Sequence, residues 1–89
     1  MKRVQVLVEL GNRILLARQQ LGLTQEDLAD RAGISVTFCG QIERGRRNPT
    51  FVVVYRIAAA LETTVADLCK DIVQSSAPKS GWRAPRRTR

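Results

Sequence analysis

The twenty residues Gln25 to Arg44, QEDLADRAGISVTFCGQIER, constrain this chain most, because their small and apolar residues fall where two short helices joined by a tight turn need them. The Thr24 hydroxyl can cap the orphan amides of a helix, with Asp27 answering three positions on, so a helix is expected to begin near Gln25. Leu28 and Ala32 share one face of it beside Ala29, and an alanine there lets the next helix approach closely. Gly33 can take the left-handed conformation that ends a helix and turns the chain. Ile34 then plugs the corner and Ser35 caps a second helix. Cys39 and Ile42, three apart, point back at the core and leave Val36, Thr37 and Gln41 facing out. The pattern reads as a helix-turn-helix whose second helix is shaped for the DNA major groove.

Elsewhere, Leu7, Leu10, Ile14, Ala17 and Leu21 recur at helical spacing before Gly22, which predicts a first helix over about Leu7 to Leu21. The residues before it read as a frayed turn or a short strand. The helix carrying Gln41 is expected to stop near Gly45. A basic loop of Arg46, Arg47, Asn48 and Pro49 follows, and Thr50 opens a fourth helix. Local preference would make Phe51 to Tyr55, with Val52, Val53 and Val54 in a row, a strand. The helical repeat of Phe51, Val54, Ile57, Ala58 and Leu61 favours a helix. A last helix, capped by Thr64 with Asp67 in its first turn, is expected to reach about Val73.

With 89 residues the chain has room for one small core, placed over residues 1–74. Residues 75–89 are rich in Ser, Pro, Gly and Arg and are expected to be a disordered basic tail. Five of the seven net positive charges lie there (Lys79, Arg83, Arg86, Arg87, Arg89), leaving +2 for everything before. Such a balance suits a polyanionic partner. With no histidine, and with Cys39 and Cys69 standing alone, neither a metal site nor a cofactor nor histidine-based catalysis has support, and no catalytic residue is assigned. Unpaired cysteines suit a reduced cytoplasmic setting. Val4 to Val8 is cut short by Glu9, Asn12 and Arg13, so neither a targeting segment nor a membrane span is expected.

The central pattern, with ARQQLGLTQ before it and IERGRRNP after it, closely resembles the lambda repressor-like or Xre-type DNA-binding family, which includes small phage repressors and restriction-modification controller proteins. The resemblance covers roughly Leu10 to Ile72. It implies an all-α, compact five-helix domain, a homodimer, and a third helix that reads double-stranded operator DNA. It also implies that Arg18 and Glu43 pair to hold the first helix to the third, so Glu43 is read as structural.

On this reading, Val36, Thr37 and Gln41 are the candidate base contacts. A glutamine amide can donate to and accept from adenine, and Val36 and the Thr37 methyl suit the thymine methyl, which points to a half-site containing A·T pairs. Val36 could instead pack at the helix start, and Phe38 is assigned no base. Gln25, Ser35, Arg44, Arg46, Arg47 and Asn48 are the candidate phosphate contacts, a solvated basic loop being the alternative for the last group. Cys39 on the reading helix is a conceivable redox switch, against the simpler role of a small buried hydrophobe. Gly40 costs that helix about 0.5–1 kcal/mol relative to alanine and could admit a close approach of DNA or of another helix.

A symmetric dimer would set two reading helices about 34 Å apart on a pseudo-palindromic operator. Val52, Val53, Val65, Leu68 and Cys69 are its candidate interface, or else complete the monomer core. Binding near a promoter could block RNA polymerase or touch it. Trp82 among the tail cations suggests added, sequence-independent attachment to nucleic acid. The rival reading is an antitoxin-like module in which the same fold grips a protein.

Overall fold

A computed structural model describes residues 4–72, so the expected tail lies outside the described residues. Five helices form, α1 (Gln5–Gln20), α2 (Gln25–Ala32), α3 (Val36–Glu43), α4 (Phe51–Ala60) and α5 (Val65–Leu68), and no strand forms among the described residues. Thr24, Ser35, Thr50 and Thr64 cap the last four in the same way. Each hydroxyl accepts from the amide three residues on, namely Asp27, Phe38, Val53 and Asp67, at 3.0–3.2 Å. A cap of this kind contributes about 1 kcal/mol. At α2 the capping box is complete, because Asp27 Oδ2 accepts from the Thr24 amide in return. Hydrogen bonding to that carboxyl, first from the Thr24 backbone amide and then from the Thr24 side chain, holds it below its ordinary range.

Ile14, Leu28 and Ile57 are fully buried at the centre, with Ala29, Ala32, Cys39, Ile42, Ala58 and Leu61 around them. α2 packs on α3 and α4, while α1 closes over α3 and α5. The valine run folds as helix because burying Val54 and Ile57 contributes about 1.5–3 kcal/mol each. That outweighs the few tenths of a kcal/mol that a branched residue costs a helix. Phe51 departs from the repeat that included it: it is 70% exposed, and the buried stripe of α4 begins one turn later at Val54. Periodicity gives the direction of a face but not how far the neighbours extend along it.

Both ends of the chain differ from expectation. α1 begins two residues early, and the Val4 carbonyl accepts from the amides of Leu7 and Val8. α5 stops at Leu68 rather than near Val73. Arg13 explains this, since its guanidinium donates to the carbonyls of Leu68 and Lys70. The chain then turns through Asp71 at φ 64° and returns Ile72 to the core.

Candidate nucleic-acid interface

Ser35 caps α3 on its N-terminal side, and Cys39 and Ile42 anchor the inner face of that helix in the core. The register of those anchors turns Val36, Thr37 and Gln41 outward, with Val36 41% exposed. They line a shallow groove of about 300 Å³ with Gln25, Gly40 and Arg44. One concave surface therefore brings together the start of α2 and the outer face of α3.

A buried carboxylate fixes that surface from behind. Arg18 Nε donates to Glu43 Oε2 at 2.7 Å and Arg18 Nη2 to Oε1 at 3.1 Å. Gln25 Nε2 donates to the same Oε1 at 2.8 Å. Arg18 Nη1 also donates to the Leu23 carbonyl just before α2. Bonding to Glu43 raises the Arg18 guanidinium above its ordinary value, so the cation is held firmly protonated against that carboxylate. Gln25, a candidate phosphate contact, is thus tied to the C-terminal end of α3, and its bond to Glu43 has no signal in a single sequence.

Beyond α3 the chain turns at Gly45, φ 72°, and the Arg46 amide donates to the Gln41 carbonyl at 2.9 Å. Gly45 also lies against α1, since a Cβ there would sit 2.8 Å from Val8 Cα. Arg46, Arg47 and Asn48 are all exposed in this loop. Arg47 folds back over α3: Nη1 donates to Gln41 Oε1 at 3.0 Å, and the guanidinium carbon stands 5.0 Å from the centre of the Phe38 ring. Phe38, left unassigned from sequence, supports this cation.

Two glycines have opposite roles. A Cβ on Gly40 would meet the Gln25 and Arg44 side chains at 3.5–3.6 Å, an ordinary contact, so no neighbouring backbone requires glycine there. At Gly11, which sequence reading passed over, a Cβ would lie 2.4 Å from the Ile42 carbonyl oxygen and 2.5 Å from that of Glu43. Bare backbone at Gly11 lets α1 lie flush on the end of α3. A glycine in mid-helix, where it costs stability, was the available signal.

Cys39 is buried, and desolvation pushes its thiol up to about 11, far from the thiolate a redox sensor needs. Leu68 lies within the monomer core, and Val53, Val65 and Cys69 pack partly buried against it. On α4, Phe51, Val52 (58%) and Tyr55 (60%) are the open apolar surface. No group of side chains with metal-binding composition occurs among the described residues, and no helix there is long and apolar enough to cross a membrane.

Residues 14–68 match the helix-turn-helix family HTH_3. The HTH-type transcriptional regulator y4dJ of Sinorhizobium fredii is 40% identical over 58 residues, which are 65% of this chain and 75% of the relative. The control protein C.MunI from a Mycoplasma species is 31% identical over 68 residues, 75% of this chain and 92% of the relative. Among solved structures, the restriction-modification controller protein C.AhdI from Aeromonas hydrophila superposes with a TM-score of 0.68 at 37% identity. That overlap covers 70% of this chain and 94% of the controller.

Proposed function

This chain belongs to the HTH_3 helix-turn-helix family of DNA-binding transcriptional regulators, and on that premise we propose that it is a homodimeric, sequence-reading regulator of a pseudo-palindromic operator, working in the cytoplasm at the nucleoid. The observation that carries this reading is the outward face of α3. Val36, Thr37 and Gln41 stand exposed or half-exposed between the start of α2 and the Arg46–Asn48 loop, on a helix anchored by buried Cys39 and Ile42. Side chains there can reach base edges, while Gln25, Ser35, Arg44, Arg46, Arg47 and Asn48 surround them at positions suited to phosphate oxygens. Residues 1–74, of which 4–72 are described, would be the DNA-binding domain, with residues 75–89 an appended basic segment.

Charge placement supports a reading of sequence over bulk attraction. Residues 4–72 hold eight cations and eight acids, so the net charge of +7 comes from residues 1–3 and 73–89. A neutral body gains little from non-specific attraction and depends on well-placed contacts.

Selection of bound duplexes from a random library at near-physiological salt tests the reading, with Gln41→Ala in parallel. An inverted repeat whose preference weakens in the variant is the expected result. Recovery of no motif would remove the sequence-reading function and favour a protein-binding module.

A further inference from the structure

The contacts around Gln41 separate two ways in which a glutamine can read a base. A glutamine amide free at both ends donates through Nε2 and accepts through Oε1, the pairing that fits adenine. Here the acceptor end is engaged by Arg47 Nη1 at 3.0 Å, a charge-assisted bond. The guanidinium that makes it is held in turn by the Phe38 ring at 5.0 Å. Phe38 is itself partly buried against the core. The chain of contacts therefore runs from the rigid body, through an aromatic ring and a cation, to the amide of a residue on the reading face.

We propose that Arg47 is a positioning residue for base readout: seated on Phe38, it holds Gln41 Oε1 so that Nε2 faces the groove as a double donor. The base edge that matches two donors is one with two acceptors, guanine N7 and O6. This assignment rests on the DNA-reading role proposed above and sharpens it, because it replaces an adenine preference at the Gln41 position with a guanine preference. Arg47 thereby acts on specificity, whereas a phosphate contact would act on affinity alone.

The test is selection from a random duplex library with the full chain, its Gln41→Ala variant, and two Arg47 variants. Gln41→Ala identifies the operator position that Gln41 reads. Arg47→Lys keeps a cation for phosphate but loses the planar fork that can lie on Phe38 while bonding Gln41 Oε1, and Arg47→Ala loses the cation as well. Arg47 is exposed, and melting curves of both variants confirm that the fold is retained. The expected result is guanine at the Gln41-dependent position of the wild type. In both Arg47 variants the guanine-over-adenine preference falls by about tenfold there, with other positions within about twofold. A wild-type preference for adenine at that position overturns the proposal, as does a guanine preference unchanged in both variants. A uniform loss of affinity without a change in preference would make Arg47 a phosphate contact only, and also overturns it. If the wild type selects no motif, the sequence-reading function itself fails, which is a different outcome from a motif that ignores Arg47.

Discussion

Arg18 and Glu43, 25 residues apart in sequence, are joined by two hydrogen bonds that clamp α1 to the last residue of α3. Their side chains are almost wholly withdrawn from water. Glu43→Ala would strand Arg18 and Gln25 together, since both donate to that carboxylate. The expected loss is about 3–5 kcal/mol of stability in urea unfolding. The double variant Arg18→Ala/Glu43→Ala should lose less than the sum of the single changes. Additive losses would show that the pair is not coupled.

Gly11 and Gly40 predict opposite signs for the same substitution. Gly11→Ala drives a methyl into two backbone carbonyls and is expected to destabilise by about 1–3 kcal/mol, or more if α1 cannot shift. Gly40→Ala places its methyl at ordinary contact distance and should stabilise α3 by about 0.5–1 kcal/mol. Thermal melts of the two variants decide the matter. A neutral Gly11→Ala would mean that α1 and α3 are not in close contact.

The buried Cys39 thiol makes stability pH-dependent on the alkaline side. Its pKa in the folded state is raised by burial to about 11, above the ordinary 9.0, so the folded state holds this proton more tightly. The resulting stabilisation is complete below pH 9 and is lost as pH rises through 11. It amounts to something on the order of 2 kcal/mol. Urea midpoints measured from pH 8 to 11 should fall less steeply in Cys39→Ala. Parallel curves for the two proteins would count against a buried, protonated thiol.

An interface on α4 is expected to depend on its open apolar residues. Val52 is exposed, so Val52→Asp should leave the monomer folded while weakening a dimer by at least about tenfold. Sedimentation at tens of micromolar reads this directly. A wild type that sediments as a monomer there would end the dimer proposal.

The terminal charge predicts the salt response. Replacing Lys79, Arg83, Arg86, Arg87 and Arg89 with Gln should flatten the dependence of log affinity on log salt by up to about 4.5, were all five to meet phosphate. Base preference should be unaffected. An unchanged slope would take the tail out of the interface.

By itself the sequence determined the features that depend on local chemistry. Thr24, Ser35, Thr50 and Thr64 could be read as caps, and Gly33 as a left-handed stop, because a cap or a turn is decided by a few neighbouring residues. The outward direction of Val36, Thr37 and Gln41 followed from helical period once Cys39 and Ile42 were assigned inward. Only the tertiary structure decided the outcomes that depend on groups distant in the chain. Arg13 ends α5 early by taking carbonyls 55 and 57 residues away. Gly11 matters because the backbone of residues 42 and 43 arrives against it, and Phe51 is exposed because no described element covers its side of the first turn of α4. The bond from Arg47 to Gln41 Oε1 and the seat of its guanidinium over Phe38 were likewise set by packing. Propensity and period describe one segment at a time, whereas these contacts exist only once the segments have packed.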